Sequence, residues 1–548
     1  MKSTFPKTIV WTTMMLAASA LQARPIRVAC IGDSITDKGT HTVKVDGKKV
    51  QENYPEVMAR ILEEKAPGRF EVANFGKGGT TAAIRQNPWW REGRLDHLAR
   101  TRAFQPDIVI ALFGGNDMAQ WGGNEGLFNG IEYPWCAFYA EEFLWRKVLS
   151  QLERKPRLIL GTPPRCFGDV AGHRWSTNWP LCEVRLTNWV ARLGWCDQVA
   201  ARLKARLGTE VPVVDTLTLT SAHKEWFAEG DKKDGIHPSK AGYDTFAALF
   251  ADEVIKVSSG IDPKNLPALK PVRTKPKTFT VAADAQAIDD ALDAARPGDT
   301  VRVKGGTVRL SRPILLAGRA KLVFEGGADG RETVLQHDTS LTGRVIEVTS
   351  CDEVTIRKFT VTGGRTVGLR SAKDRETGAT YCTTADGAGI VVSASKGIRI
   401  EACDVYGNEG VDHNNWCAFG GGGIGVSGSK VEIVDTKIRD NAFASTSTAW
   451  SYSGGGGVHF NCGAGVTNVM RNCTVTGNRH STKARGDVAY GEGGGVFNHG
   501  ATPKGKTAFL LVENCTFAGN TVSNVSKKAS RPYENHGDDL AGFNIIRK

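Results

Sequence analysis

Four short blocks in the first 240 residues carry the residue types from which an ester-cleaving site is built: Gly32-Asp33-Ser34-Ile35, Asn74-Phe75-Gly76-Lys77-Gly78-Gly79, Gly114-Gly115-Asn116-Asp117 and Asp234-Gly235-Ile236-His237. A serine hydroxyl attacks a carbonyl only when a base takes its proton. Ser34 is the candidate nucleophile and His237 the candidate base. Asp234 is the carboxylate that reaches the imidazole and fixes its tautomer if this segment begins a helix. The attacked carbonyl oxygen becomes an oxyanion, for which the backbone amides of Ser34 and Gly79 and the side-chain amide of Asn116 are the candidate donors. Gly79 has no Cβ to keep its backbone away from substrate. Each block alone is commonplace, and their joint order carries the reading. Asp33, Trp121, Arg165 and His173 are candidate substrate contacts. No Cys or His spacing suggests a zinc site, and neither metal nor cofactor is expected.

These blocks need a scaffold that delivers them to one place. Apolar runs at 26–31, 70–75, 107–113, 157–160 and 211–215 read as strands, and helical stretches such as 54–65 separate them. Continuous apolar strands interleaved with helices predict a parallel sheet covered on both faces. Ser34 then sits at the sheet's carboxyl edge, where the start of a following helix offers amides.

The pattern changes after residue 257. Pro263, Pro267, Pro271 and Pro276 stand among lysines over 258–277, as in a partly stiff linker. An amphipathic helix over 285–295, with Ile288, Ala291, Leu292 and Ala295 on one side, stops at Pro297-Gly298-Asp299-Thr300. A repeat then sets in. Ile400-Glu401-Ala402-Cys403-Asp404-Val405 matches Ile433-Val434-Asp435-Thr436-Lys437-Ile438, then Met470-Arg471-Asn472-Cys473-Thr474-Val475 and Val512-Glu513-Asn514-Cys515-Thr516-Phe517. An asparagine comes after each copy at one offset: Asn408, Asn441, Asn478 and Asn520. Short aliphatic strands at unequal spacing predict a coil of stacked strands with insertions between rungs. Cys403, Thr436, Cys473 and Cys515 should form one inward column, and Val405, Ile438, Val475 and Phe517 the next. The asparagines should occupy a recurrent left-handed turn and ladder through their amides.

With these motifs in view, the first part resembles the GDSL/SGNH hydrolase family over roughly residues 25–255. The family's markers match Ser34, Gly79, Asn116 and His237, and its triad Asp matches Asp234, while Ile35 replaces the name-giving Leu. The resemblance implies a three-layer flavodoxin-like α/β fold and metal-free ester hydrolysis through an acyl-serine. The Gly-Asp-Ser-Ile-Thr start is most similar to carbohydrate acetylesterases and sialate O-acetylesterase-like proteins. The second part resembles a right-handed parallel β-helix of the pectate-lyase-like class, convincingly over about 345–522. The expected division is 1–23 signal peptide, 24–257 esterase domain, 258–277 linker and 278–548 β-helix.

Composition is that of a folded protein, with 41% hydrophobic and 23% charged residues in 548 positions. The net charge of +12 fits a basic solvated surface, with an acidic partner as the second reading. No basic helix or aromatic–basic motif points to nucleic acid. Lys2 and Lys7, the apolar run 9–17 and a small-residue stretch before Arg24 read as an export signal, too short to span a bilayer. The chain is therefore expected to be periplasmic, cell-surface or extracellular. Its twelve cysteines permit disulfides but do not fix their pairing: Cys166 and Cys182 are one candidate bridge across a loop, while Cys30 in an apolar strand and the cysteines of the repeat read equally well as buried thiols. Most of the 13 tryptophans lie between Trp89 and Trp226, many in loop-like stretches, where their rings suit sugar faces or brace the loops. The expected activity is removal of O-acetyl groups from carbohydrate, falling on acidification as His237 takes a proton. The β-helix is expected to bind glycan or act as a spacer, with Asp412-His413, His459, His499 and Asp538-Asp539 as scattered candidates for a second centre. The rival readings are a lysophospholipase or broad acyl-esterase on the same site, and a β-helix adhesin or glycan-binding protein with secondary hydrolase activity.

Overall fold

The computed structural model describes residues 24–37, 42–45, 48–82, 96–120, 144, 148–167, 170, 182–183, 186–192, 194–228, 234–368, 372–373, 380–381, 385–413, 416–417, 420–446, 450–461, 465–482, 488–499, 509–523, 539–542 and 544–548.

The apolar runs of the first half become strands β1 (Ile26–Gly32), β2 (Phe70–Asn74), β3 (Ile108–Leu112), β4 (Arg157–Gly161) and β5 (Val213–Val214). All pair in parallel, in the order β2–β1–β3–β4–β5. The order reverses at β1, and in such sheets the crevice outside the carboxyl ends at that reversal is where ligands bind. Helices α1 (Tyr54–Lys65), α2 (Trp195–Leu207) and α3 (Lys240–Val257) flank the sheet. The two faces of β1 explain its unbroken apolar run. Ile26, Val28 and Cys30 pack with Met58 and Leu62 of α1 and Phe246 and Phe250 of α3. Ala29 and Ile31 pack on the other side with Val199 and Leu203 of α2.

The Pro/Lys stretch runs along this first layer. Lys270 donates its amide to Gln105 Oε1 at 3.0 Å, and Arg24 donates to the Pro267 carbonyl at 3.2 Å. Helix α4 (Ala285–Ala294) begins with the Asp284 carboxylate accepting from Ala287 N at 2.8 Å. Its apolar side, Ile288, Ala291 and Leu292, covers the first coil of the second half. The buried Arg319 donates to the Leu292 and Ala295 carbonyls, at 2.6 and 3.0 Å. A cation satisfying the last carbonyls of a helix is favourable on both hydrogen-bonding and dipole grounds.

The remainder is a parallel β-helix, its main faces one nine-stranded and two seven-stranded sheets. Ile400, Ile433, Met470 and Val512 stand in register. So do Val405, Ile438, Val475 and Phe517, as the repeat predicts. Cys403 and Cys473 are buried in the core, and Cys515 packs against it. The asparagine amides form a ladder. Asn408 Nδ2 donates to Asn441 Oδ1 at 3.0 Å, Asn441 to Asn478 at 3.0 Å, Asn478 to Asn520 at 2.9 Å, and Asn520 to Asp539 Oδ1 at 2.7 Å.

The left-handed residue of this turn is not the asparagine but the one before it: Gly407, Asp440, Gly477 and Gly519, with φ between 54° and 65°. The asparagine itself turns inward, because its amide must reach both the next rung and a main-chain carbonyl of the preceding one. A second left-handed position recurs ahead of the cysteine column, at Ala402, Asp435, Asn472 and Asn514.

Asn441 tests the ladder. Its Oδ1 accepts from both Asn408 N and Nδ2, and its Nδ2 donates to Val405 O and to Asn478. Leucine is nearly isosteric but leaves these buried groups unpaired, at roughly 1–3 kcal/mol each. Asn441→Leu is expected to destabilise the β-helix by about 3–5 kcal/mol in urea unfolding; a loss below about 1 kcal/mol would show that the ladder is dispensable.

Candidate active site

Ser34 follows β1 directly, in a single turn rather than the opening of a long helix: Thr36 N and Asp37 N both donate to Asp33 O, at 3.1 and 3.0 Å. The Asn53 side-chain amide holds this turn by donating to the carbonyls of Ile35 and Asp37, at 3.2 and 2.7 Å. Its own backbone amide donates to Glu56, which also accepts from Asn74 Nδ2. The nucleophile turn, the start of α1 and the end of β2 are thereby tied together. The motifs in the sequence do not single out Asn53, although asparagine before Tyr54-Pro55 with glutamate at the third helical position is a helix-start signal.

Asp234 and His237 meet Ser34 from the other side of the crevice. His237 Nδ1 lies 2.7 Å from Asp234 Oδ2, and Nε2 lies 2.8 Å from Ser34 Oγ. The expected helical start is absent here, since the helix begins only at Lys240. Asp234 reaches the ring through a turn, its Oδ1 accepting from Ile236 N and His237 N at 3.0 and 2.9 Å. Gly235 makes that turn possible at φ 73°, where an added Cβ would come within 2.2 Å of Phe167 O. Burial opposes the Asp234 charge, but the hydrogen bond and charge of His237, with these two amides, bring its pKa down to about 2. The carboxylate therefore accepts from Nδ1–H, and Nε2 is left bare to receive the Ser34 proton.

The candidate donors for an oxyanion come from the loop after β2 and from the short helix Gly115–Gln120 that follows β3. Lys77 N donates to Gly32 O at 2.9 Å, which draws the Gly78-Gly79 loop against Ser34. A Cβ on Gly78 would lie 3.7 Å from that of Ser34. Gly79 is at φ 79°. Asn116 Nδ2 donates one hydrogen to Thr80 O at 3.1 Å, which orients the amide and leaves its second hydrogen for another acceptor. Asp117, beside it on the same helix, accepts from Ala82 N at 2.9 Å and ties that helix to the loop after β2.

A cavity at this point is lined by Asp33, Ser34, Ile35, Gly115, Asn116, Pro164, Cys166 and Ile236. Asp33 is buried and accepts from Ile35 N at 2.9 Å. Burial, reinforced by the charge of Asp117, pushes its pKa up to about 7 despite that hydrogen bond. Pro164, Cys166 and Ile236 join the cavity although no local motif marks them as substrate contacts. Arg165 is engaged elsewhere, with Glu183 at 2.7 Å and Thr187 at 3.0 Å. Trp121 and His173 lie outside the described residues.

On the β-helix, Asp412 and His459 are buried and His413 is exposed. Phe497 stacks against both His459 and His499, with ring centroids 5.7 and 6.2 Å apart. Burial, with His499 and His480 nearby, holds His459 well below the ordinary imidazole range. Asp539 ends the asparagine ladder, and Asp538 lies outside the described residues. Among the described residues no group of three or more His, Cys, Asp or Glu side chains is arranged to hold a metal, and no helix is long and apolar enough to cross a membrane.

Comparison with known proteins places both halves. Residues 30–245 match the family model of the GDSL-like lipase/acylhydrolases, and residues 339–522 match that of the right-handed β-helix region. No curated protein matches the chain. Similar solved structures include an aryl esterase from M. smegmatis, with 20% identity over 42% of this chain and 98% of that one, at a TM-score of 0.30. A lipase/acylhydrolase from Enterococcus faecalis shows 22% identity over 42% and 96%, at 0.28. An acetylxylan esterase from Geobacillus stearothermophilus shows 19% identity over 44% and 97%, at 0.29. Residues 30–245 thus form a GDSL-like lipase/acylhydrolase domain, and the chain continues into a right-handed β-helix over 339–522.

Proposed function

We propose that this chain is an exported serine esterase that removes O-acetyl groups from carbohydrate. The carrying observation is the position of His237 between Ser34 and Asp234, at 2.8 and 2.7 Å. Ser34 Oγ attacks the acetyl carbonyl while Nε2 takes its proton. The oxyanion is met by the amides of Ser34 and Gly79 and by Asn116 Nδ2. His237 returns the proton to the departing sugar oxygen. Water, activated by the same imidazole, then releases acetate.

Two features support a short acyl group on a sugar. Ile35, Pro164, Cys166 and Ile236 bring apolar surface close to the nucleophile. The tryptophan-rich stretches between Trp89 and Trp226 supply rings of the kind that stack on sugars. The β-helix is the glycan-holding or spacing module, which keeps acetylated chains near the esterase and raises their effective concentration. Substrate reaches the enzyme outside the cytoplasm, in keeping with the N-terminal signal pattern.

Acetate release from a panel of acetylated glycans, run beside nitrophenyl esters of increasing chain length, tests the reading. Turnover is expected to be highest on acetyl esters and to drop at least about tenfold by the octanoyl ester, the scale of a few methylenes without a matching pocket. Preference for long chains would replace the carbohydrate assignment with the lysophospholipase one.

A further inference from the structure

We propose that Cys166 and Cys182 are joined by a disulfide bond that braces the wall of the cavity beside Ser34. Their sulfurs lie 3.4 Å apart, and both residues are buried, at 2% and 0% exposure. A disulfide needs about 2.05 Å, so the two sulfurs have only about 1.4 Å to close.

The flanking chain already holds the two segments in register. Arg165, the residue before Cys166, pairs with Glu183, the residue after Cys182, at 2.7 Å. Arg165 also donates to Thr187 Oγ1 at 3.0 Å, and its amide donates to Thr220 Oγ1 at 2.8 Å. These contacts bring the loop after β4 against the segment that starts at Cys182.

The place gives the bond its consequence. Cys166 lines the cavity with Ser34 and Asn116. The next residue, Phe167, donates its amide to the Gly235 carbonyl at 2.8 Å, inside the Asp234–His237 turn. Cys182 Sγ sits 3.6 Å from the carbonyl of Gly115, the neighbour of Asn116. A covalent link between these sulfurs therefore fixes the loop that supports the imidazole relative to the short helix that carries the Asn116 amide. Two thiols offer only weak hydrogen bonds to each other, so reduction leaves this junction to its flanking contacts.

The bond forms by exchange with a small-molecule disulfide such as oxidised glutathione. One cysteine thiolate attacks the oxidant's disulfide and releases one glutathione thiol. The second cysteine thiolate displaces the other. Two cysteine thiols lose two electrons and two protons in total, and the oxidant's S–S bond becomes two thiols.

The test is peptide mapping of the full chain, independent of any esterase assay. Protein made in an oxidising compartment, or equilibrated with oxidised glutathione, is alkylated without reduction and cut with trypsin. The peptides 166–174 and 175–185 are expected as one disulfide-linked species. Alkylation of both cysteines, or linkage of either to another cysteine such as Cys136, overturns the proposal. The thermal transition read by tryptophan fluorescence is expected to fall by about 5–10 °C when a reductant is added to the wild type. In the Cys166→Ser/Cys182→Ser double variant the reductant should have no effect; an equal drop there assigns the response to another pair and likewise overturns it.

Discussion

Ser34→Ala is expected to lower kcat/KM on acyl esters by about 10⁴–10⁶-fold, with the fold unchanged by circular dichroism. The variant loses the oxygen that His237 Nε2 meets at 2.8 Å in the crevice. It keeps the backbone amides and Asn116 Nδ2, so a small residual acceleration over water survives. Removing the hydroxyl leaves the Asp234–His237 pair in place, because that pair is held by its own turn. Stability should therefore change little. A variant that retained more than a tenth of wild-type turnover would exclude the acyl-serine route.

Asp234→Asn is expected to cost about 10³–10⁴-fold in kcat, and the reason lies in which oxygen is already occupied. Oδ1 accepts from two backbone amides, so the asparagine oxygen must stay there. Its NH2 group then faces His237 Nδ1 as a donor. The imidazole must give up the Nδ1 proton and carry it on Nε2, where it can no longer receive the proton of Ser34. The wild-type carboxylate, with its pKa near 2, is ionised across the neutral and mildly acidic range. Because the folded value is depressed, its contribution to stability is complete above the ordinary value of about 3.8 and fades as the pH falls toward 2. An acid limb of activity above pH 4 thus reports proton uptake elsewhere in the site. Full activity in the asparagine variant at neutral pH would remove Asp234 from the mechanism.

The legible parts of the fold were those set by local chemistry. Strand β1 could be read because both its faces are covered, which makes every residue from Ile26 to Ile31 apolar except Arg27. Helix α1 could be read from the apolar spacing of its buried face, and Asn53, Pro55 and Glu56 mark its start. The coil could be read because its rungs repeat the same inward residues. The site was legible where each block is a short turn after a strand. The Asp234–His237 segment was open between two forms, since an aspartate followed by glycine fits both a helix start and the turn that the chain adopts at φ 73°. The approach of Pro164 and Ile236 to Ser34 is set by how distant loops pack at the sheet edge. No periodicity records that.

The asparagine row has a direction. Between side chains every amide gives one hydrogen to the C-terminal coil and receives on its oxygen from the coil before, while its second hydrogen goes to a main-chain carbonyl of that preceding coil. Aligned side-chain dipoles add, as peptide dipoles do along an α-helix, so the coil carries a polarity along its axis with the positive pole toward residue 539. Asp539 stands at that pole. A carboxylate oxygen suits that place because it accepts a hydrogen without needing to hand one on. Among the described residues the row thus ends on an acceptor that has no hydrogen to pass along.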